Sequence, residues 1–419
     1  MSANPASVVP DAVIGRSADA IRQGSTDDLA SALLTARADT LALFAQVREQ
    51  LPELKVPPHP NLNPPLWELG HVGWFQEFWT VRNPQWDRGP LADPHCERPF
   101  GVRPDADSLY SSVDVVHGRR WDLDLPGVED TLDDLTRQFQ SCVGLLHQAA
   151  PSDQGLYFHR LALLHEDMHH EAGLYMAQAL GLEITDPRWQ PQALCTQRRR
   201  APGRLSFPGM SWRMGRTPDQ GFSFDNELPV RAIALEAYTI DARVVTWGDY
   251  LPFVEQGGYR NSDYWDAQGQ VWLKAQGLNA PRVLRQTTTG RDWQRHLYGR
   301  WQRLEPDQAA VHLSLHEARA WCRWAGRRLP LEAEWEQAAC ADPGFEWGEV
   351  WEWTDTPHAP FPGYVAHPYQ DYSAPFFDGR PVLKGGSFMT QPRMKHPQYR
   401  NFFEGYRNDI PAGFRSCAL

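Results

Sequence analysis

The spacing of apolar residues changes near the middle of the chain, and this change constrains the fold more than any other feature. Up to about residue 185, apolar side chains recur at helical intervals in four segments: 26–50, a second that begins at Asn63 and continues to at least Phe78, 128–148 and 155–182. Beyond residue 203, Gly, Pro and Trp dominate, strand-like runs are short and helical patterns are few. The sequence therefore predicts an α+β protein in which a four-helix bundle with one long crossover precedes a second domain.

A chain of 419 residues is too long for one ordinary hydrophobic core, so we expect two domains. The same change of pattern predicts where their boundaries lie. Residues 1–25 contain Ala, Ser and Pro without periodicity and are predicted to be a flexible tail. Residues 26–185 form the predicted bundle, and the Pro-, Gln- and Arg-rich segment 186–203 is the predicted linker. Residues 204–419 form the predicted second domain, in which Ser314 is expected to cap a helix.

Charge and composition exclude several classes of partner. The net charge of −11 makes nucleic acid or an anionic membrane surface a poor partner, since phosphate binding needs clustered Lys and Arg. No apolar stretch approaches the eighteen residues or so that cross a membrane. The six cysteines include no C-x-x-C pair, which argues against a disulfide scaffold or a zinc knuckle. With no recognisable leader, the cytoplasm is the expected location.

Three histidines occupy apolar helical stripes. In the second predicted helix, His71 lies between Trp67 and Trp74 on the apolar face, and in the fourth, His165 and His169 are four residues apart on one face. Uncompensated imidazoles in a bundle core cost several kcal/mol, by the general cost of burying unpaired polar groups. A shared metal ion removes that cost, so the spacing predicts a metal site formed by all three histidines.

The spacing alone leaves the metal and the reaction open. Three neutral imidazoles suit Fe(II), Zn(II) or Cu(II). The segment His165-Glu166-Asp167-Met168-His169 also matches the His-Glu-x-x-His pattern of zinc peptidases, with Glu166 as general base. The further His-x-x-Gly-x-x-His extension of the metzincins does not follow it. A non-catalytic module that binds a metal or a quaternary amine is the remaining alternative.

Both halves of the chain resemble one enzyme family. The segments 70–75 and 165–171 resemble the N-terminal DinB-like bundle of the ergothioneine sulfoxide synthases. The second half resembles their formylglycine-generating-enzyme or sulfatase-modifying domain, which has a C-type-lectin-like fold. The matching segments of that half are 207–210, 214–215, 226–229, 327–336, 350–354, 383–388 and 413–415.

The resemblance implies a reaction and a set of site residues. Fe(II) and O2 as co-substrate couple a chalcogen donor to the imidazole C2 of hercynine, which is trimethylhistidine, and leave an S- or Se-oxide. The family has two tyrosines three residues apart after its Trp-x-Trp segment, and Tyr369 and Tyr372 match that spacing. Tyr369 is the expected redox or proton-donor residue, and Tyr372 the expected hercynine contact.

The chain also departs from the family pattern at the donor pocket. Arg400-Asn401-Phe402-Phe403 replaces an Arg-Asn-Trp-Asp segment, so a phenylalanine stands where an aspartate would bind the donor's ammonium group. The segment 109–121 replaces an Asn-Ser-Tyr-Tyr segment and its arginines, and Met168 replaces a glutamine. Without these charged partners, a charged dipeptide donor would leave buried charges unpaired.

These departures resemble the selenoneine synthase branch, whose donor is a selenosugar, and selenoneine biosynthesis is the expected pathway. The alternative is an ergothioneine sulfoxide synthase that takes cysteine or γ-glutamylcysteine. Phe402 is expected to hold the trimethylammonium group by a cation–π contact. The other expected substrate-binding residues are Met168, Asn401, Phe403, Tyr110, Ser111, Ser112, Arg119 and Arg120.

Overall fold

The N-terminal half of the molecule is helical. The structure, a computed structural model, describes residues 11–192, 203–288, 290 and 292–419. The helices of this half are α1 (Asp11–Gln23), α2 (Thr26–Gln50), α3 (Pro65–Trp79), α4 (Ala106–Tyr110), α5 (Val128–Leu146) and α6 (Asp153–Leu180). Helices α2, α3, α5 and α6 correspond to the four predicted helices, and their ends differ from the predicted ones by two residues or fewer.

Helix α3 begins one residue later than the sequence predicted. Pro64, expected at the first helical position, has extended backbone angles of φ −61° and ψ 133° and precedes the helix. The reason is Pro65, because a proline sterically disfavours helical angles in the residue before it. Asn63, the expected N-cap, instead donates its side-chain amide to Glu68, one turn into the helix.

Helix α3 is buried on nearly all sides. It packs against α5 and α6, and its polar residues Glu68, His71, Gln76 and Glu77 are buried together with its tryptophans. A helix that is buried all round is a central element of its domain. Every polar side chain on it therefore needs a specific partner.

The predicted flexible tail is wrong for the part that the structure describes. Residues 11–23 form α1, where Ile21 and Arg22 are buried. Arg22 forms a two-pronged ion pair of 2.7 and 2.8 Å with Glu227 of the second domain. No local pattern predicted this helix, because its partner lies about two hundred residues further along the chain. Residues 1–10 lie outside the described residues.

Among its described residues, the C-terminal half combines short strands with four α-helices. The strands are β1 (Arg204–Phe207), β2 (Met210–Met214), β3 (Arg231–Leu235), β4 (Tyr238–Asp241), β5 (Leu284–Gln286), β6 (Trp293–Leu297), β7 (Arg300–Arg303), β8 (Arg327–Arg328), β9 (Trp351–Pro357), β10 (Pro381–Gly385), β11 (Asn401–Phe402), β12 (Ala412–Gly413) and β13 (Cys417–Ala418). The helices are α7 (Trp247–Glu255), α8 (Ala267–Gln276), α9 (Leu315–Trp324) and α10 (Glu332–Ala341).

The strands of this half form several small sheets. Two four-stranded sheets have the orders β1-β4-β13-β8 and β11-β10-β9-β12, β2 pairs with β3, and β5, β6 and β7 form a three-stranded sheet. The pairs are antiparallel except β12 with β9.

Large aromatic side chains fill the core of this half. Trp247, Trp335, Trp351 and Trp353 are fully buried. The predicted cap of α9 is confirmed, since Ser314 accepts from the backbone N–H of Glu317 and Glu317 reaches back to it. Large rings thus supply the core that the short strands alone could not.

The segment between the halves is only partly described. Residues 193–202 of the predicted linker lie outside the described residues. Trp189, in the part that is described, is buried, and its carbonyl accepts from the hydroxyl of Tyr298. The boundaries of the linker and of both domains therefore stay predictions. Among the described residues, no helix is both long and apolar enough to cross a membrane.

Candidate metal centre and its surroundings

The three predicted histidines lie together. One nitrogen from each of His71, His165 and His169 can be chosen so that all lie within 4.8 Å of one another. The ring centroids are 5.1 Å apart for His71 and His165, 4.8 Å for His71 and His169, and 4.4 Å for His165 and His169. Helix α3 supplies the first histidine and one turn of α6 supplies the other two. The helical spacing thus produces the convergence that the sequence predicted.

Hydrogen bonds orient two of these rings. The Nδ1 of His71 donates to the carbonyl oxygen of Tyr110 at 2.7 Å, and the Nδ1 of His169 donates to the carboxylate of Glu68. Each bond engages Nδ1 and leaves Nε2 as the nitrogen that could bind a metal ion. Such outer hydrogen bonds are a regular property of metal-binding histidines.

The third ring carries a buried nitrogen without a partner. His165 is buried, with only 3% of its surface exposed, and its Nε2 atom has no hydrogen-bond partner among the described residues. Burial lowers the pKa of His165 well below its usual value, and burial with the neighbouring His169 lowers the pKa of His71 to about 3. Both imidazoles are therefore neutral near pH 7, as metal coordination requires. This donor set fits a divalent metal ion.

Aromatic rings hold the histidines in place. Phe75 stacks on His165 with a centroid distance of 3.4 Å and an angle of 4°, and Trp67 stacks on His71 at 4.6 Å. The guanidinium carbon of Arg120 lies 3.9 Å from the centroid of the Trp67 ring. Packing of this kind restricts ring rotation and keeps the three nitrogens aligned.

The glutamate of the His-Glu-x-x-His pattern faces away from the histidines. Both oxygens of Glu166 accept from Arg37 of α2, at 2.8 and 3.2 Å, and the pair is buried. A general base must reach a metal-bound water, whereas this carboxylate neutralises a buried arginine. The geometry thus removes the catalytic base that the zinc-peptidase alternative needs.

Two other acidic residues of the same part of α6, Asp167 and Glu171, bind the second domain. Asp167 pairs with Arg393 through two hydrogen bonds of 2.7 and 2.6 Å. One oxygen of Glu171 accepts from Trp351, Ser387 and Thr390 at 2.7 to 2.9 Å. The helix that supplies two histidines is therefore fastened to the C-terminal half at the same turns.

Of the two predicted tyrosines, Tyr369 reaches the histidines from the second domain. The ring of Tyr369 lies edge-on to Phe75 at 4.9 Å and 6.2 Å from the ring of His165. Burial raises the pKa of Tyr369, so its hydroxyl keeps its proton. Tyr372 lies 6.0 Å from Tyr369, ring to ring.

A hydrogen-bonded chain leads back from Tyr372 to the metal helix. The Tyr372 hydroxyl donates to the hydroxyl of Tyr399 at 3.0 Å, and the Tyr399 hydroxyl donates in turn to the sulfur of Met168 at 3.6 Å. Phe224 stacks on the Tyr372 ring at 4.4 Å. The structure thus brings two predicted residues, Tyr372 and Met168, together through a third that the sequence did not single out.

The segment 400–403 lies beside these tyrosines. Phe402 is 6.0 Å from Tyr372 and stacks on His358 at 4.2 Å. The Asn401 side chain accepts from the backbone N–H of Phe402. Phe403 packs between Tyr175, at 6.3 Å, and the guanidinium of Arg407, at 5.2 Å.

Part of the segment 109–121 packs against α3. The Tyr110 ring packs on Gly70, where an added Cβ would lie 2.3 Å from it, and its backbone carbonyl serves His71. The Ser111 hydroxyl accepts from a backbone N–H three residues on, and Ser112 is half-buried.

The two arginines of that segment differ in position. The side chain of Arg119 is 72% exposed and pairs with Asp122, and its contact with substrate stays a prediction. Arg120 packs on Trp67 and donates to Asn63 at 2.6 Å, which keeps it beside the histidines. The segment thus contributes an oriented carbonyl and one guanidinium rather than a row of hydroxyls.

Sequence reasoning missed Glu68 and Tyr399. Glu68 lies three residues before His71 within an apolar run, and a carboxylate predicted to be buried requires a partner. That signal could have identified it. Tyr399 lies in a loop without periodicity, and no local signal marks it.

The fold and the site together define a class of protein. Residues 32–172 match the DinB superfamily, and residues 190–349 match the sulfatase-modifying factor enzyme 1-like domain. A helical DinB-like half that carries the histidines is thus joined to a sulfatase-modifying-factor-like half, and the predicted α+β architecture is confirmed.

Relatives that match nearly the whole chain narrow the assignment to one enzyme family. The chain is 30% identical to the hercynine oxygenase of Mycobacterium tuberculosis, over 93% of this chain and 98% of the relative. It is 29% identical to that of Mycolicibacterium thermoresistibile, over 93% and 94%. The formylglycine-generating enzyme of Streptomyces coelicolor is 31% identical over only 35% of this chain and 51% of that enzyme. The chain belongs to the hercynine oxygenase family and is an oxidoreductase.

Proposed function

We propose that this chain joins a thiol donor to the imidazole C2 of hercynine in an iron- and oxygen-dependent reaction. In that reaction a C–S bond replaces one C–H and one S–H bond, and the sulfur is oxidised to the sulfoxide. O2 accepts four electrons, one oxygen atom enters the sulfoxide, and the other leaves as water with both hydrogens. The family assignment supports hercynine as substrate, and the cluster of three histidines carries the proposal.

His71, His165 and His169 are the proposed ligands of Fe(II). Bound Fe(II) would activate O2 and offer open positions to a soft sulfur or selenium donor. The carbonyl of Tyr110 and the carboxylate of Glu68 orient two of the imidazoles, and Phe75 fixes the third by stacking. The chain thereby presents three imidazoles without a ligand carboxylate.

Tyr369 is the proposed proton donor. Its ring lies against Phe75 and near His165, and burial keeps its hydroxyl protonated. Tyr372 and Met168 form the adjoining wall, where the Tyr399 hydroxyl links them. The chain can therefore place one hydroxyl proton beside the reacting groups while the second tyrosine stays hydrogen-bonded.

The remaining predicted residues suit the ends of hercynine. Phe402 belongs to an aromatic group with Phe376, at 5.1 Å, and Tyr372, and aromatic faces attract a trimethylammonium cation. Asn401 adjoins this group in the same short strand. Arg120 is the proposed partner for a substrate carboxylate, since it is half-buried beside Trp67.

A selenosugar is the second candidate donor, and one observation favours it. Phe403, where the family pattern has an aspartate, is enclosed by Tyr175 and Arg407, and Arg407 is already paired with Asp409. An uncharged donor fits this wall better than a dipeptide with an ammonium group. The relatives, by contrast, favour the sulfur reaction.

Metal binding can be tested without turnover. His165→Ala should abolish stoichiometric Fe(II) binding in an anaerobic equilibrium titration. His159→Ala is the matched control, because His159 is equally buried on the same helix but outside the cluster. Iron retained by His165→Ala, or lost equally from the control, would reject the ligand assignment.

The donor can be tested by offering the substrates separately and together. Mass spectrometry of reactions with hercynine and cysteine, γ-glutamylcysteine or a selenosugar should give a sulfoxide with a thiol as the main product. Exclusive formation of a selenoxide would transfer the assignment to the second candidate. Absence of O2 uptake with every donor would favour a binding module, and peptide hydrolysis with Zn(II) would revive the peptidase alternative.

A further inference from the structure

Tyr369 lies in a long loop of the second domain. The loop comprises residues 358–380, between β9 and β10, and we call it the tyrosine loop. Among the described residues, the Tyr369 hydroxyl has no hydrogen-bond partner, and its ring packs against Phe75, Trp79 and His165 at 4.9, 5.9 and 6.2 Å. The distance of this ring from the histidines therefore depends on how the backbone of the loop is held.

One buried carboxylate, that of Asp225, accepts hydrogen bonds from the tyrosine loop at three positions. The hydroxyl of Tyr364 donates to one oxygen at 2.7 Å, and the backbone N–H of His367 donates to the same oxygen at 3.4 Å. The hydroxyl of Ser373 donates to the other oxygen. These positions lie on both sides of Tyr369, so the carboxylate closes the part of the loop that carries the tyrosine.

The charge of Asp225 depends on these donors. Asp225 is 2% exposed, and among the described residues no Lys, Arg or His forms an ion pair with it. In that part of the chain, the donors to its side chain all belong to the tyrosine loop. A buried carboxylate is costly unless hydrogen bonds replace its hydration. The conformation of the loop is therefore tied to this one side chain.

The backbone around Asp225 is itself fixed to two helices of the N-terminal half. Two residues further on, Glu227 forms the two-pronged ion pair with Arg22 of α1. Three residues before it, the ring of Phe222 lies 5.2 Å from the ring of Tyr157 on α6. Asp225 thus holds the tyrosine loop against a support that is anchored on both sides.

A second contact joins the tyrosine loop directly to the helix that supplies two of the histidines. The hydroxyl of Tyr157 and the Nδ1 of His367 form a hydrogen bond of 2.9 Å. Tyr157 precedes His165 by eight residues, about 12 Å along the axis of α6. The loop is therefore held between Asp225 and the helix of the proposed metal ligands.

We propose that Asp225 is a positioning residue that acts through Tyr369. By closing the tyrosine loop, its carboxylate holds the Tyr369 ring beside His165, where the hydroxyl can reach the reacting groups. A displacement of about 1 Å in such a group can lower a rate about a hundredfold. This inference rests on the proposed role of Tyr369 as proton donor, but the position of the ring can be measured independently of that role.

A double-mutant cycle tests whether Asp225 acts through Tyr369. Ser373→Ala removes one donor to the carboxylate and should lower kcat about tenfold with unchanged Fe(II) affinity. In a Tyr369→Phe background it should lower kcat less than about twofold, because the group that is positioned has already been removed. Ser416→Ala is the matched control and should leave kcat unchanged, since Ser416 is also fully buried and donates to an aspartate, Asp241, outside the loop.

The position of Tyr369 can be measured without turnover. A fluorotyrosine in place of Tyr369, in the full-length metal-free protein, should give one fluorine NMR resonance, and Ser416→Ala should not change it. Ser373→Ala should shift or split that resonance. Tyr364→Phe removes a second donor at a half-buried position and should have the same effect, which provides a second variant if Ser373→Ala does not fold.

Two results would overturn the proposal. One is an unchanged fluorine resonance in both Ser373→Ala and Tyr364→Phe. The other is an equal loss of kcat from Ser373→Ala with and without the hydroxyl of Tyr369. If the wild-type protein forms no product with any donor, the proposed function fails, and the fluorine spectra alone decide whether Asp225 positions the tyrosine.

Discussion

The carboxylate of Glu68 offers the most direct way to perturb the proposed metal centre without removing a ligand. It is 4% exposed, accepts from the Nδ1 of His169 and also from the Asn63 side chain. Burial raises its pKa, but the attraction and hydrogen bond of His169 outweigh burial and lower it to about 2. Glu68 is therefore ionised near neutral pH, and Glu68→Gln removes a charge while it preserves the shape.

The size of the effect follows from the hydrogen bond. A bond to a charged group contributes about 1.5–3 kcal/mol, and a neutral one about 0.5–1.5 kcal/mol. The difference, about 1–1.5 kcal/mol, corresponds to roughly tenfold in an equilibrium constant. The amide also brings a second donor toward Asn63, which adds to the loss. We therefore expect Fe(II) affinity to fall between tenfold and about a hundredfold, the range typical of outer-shell partners.

The assay is an anaerobic Fe(II) titration together with thermal unfolding of the metal-free protein. Glu77→Gln is the matched control, since Glu77 is also buried on α3 but accepts from Val102 and Gln138 instead. The control should lose stability and keep its iron affinity. Unchanged affinity in Glu68→Gln, or an equal loss in both variants, would refute the reasoning.

Three further predictions concern separate parts of the molecule. Tyr369→Phe should reduce the rate of product formation at least tenfold with unchanged Fe(II) affinity. Tyr406→Phe, at an exposed tyrosine, should not reduce it. Equal rates in the two variants would reject Tyr369 as the proton donor. Glu166→Gln should cost about 3–5 kcal/mol in urea unfolding, because it leaves Arg37 buried without its counter-charge; a cost under about 1 kcal/mol would contradict a buried ion pair. The pKa of His71 is about 3 in the folded chain, below its usual 6.5, so the unfolded chain binds more protons between these two pH values. The free energy of unfolding of the metal-free protein should therefore fall as the pH drops from 6.5. Urea unfolding at pH 7.5 and 5 measures this, and a His71→Phe variant whose stability falls as steeply would exclude His71 as a cause.

Local sequence pattern determined much of the bundle and of the metal site. Helical periodicity identified α2, α3, α5 and α6, because burying one face of a helix imposes a repeat that a sequence displays. The same periodicity identified His165 and His169, since residues four apart on a helix face the same way. The cap at Ser314 was also readable, because a capping box involves residues only three apart.

The tertiary structure alone decided which partner each buried polar group has. Glu166 pairs with Arg37, Asp167 with Arg393, and Arg22 with Glu227, over separations of 129 to 226 residues. Periodicity shows that a side chain faces inward, and a buried charge then needs a partner. The local pattern does not show which residue that partner is. Long-range packing selects that partner, so the roles of these charges, and the helix at residues 11–23, emerged only from the folded chain.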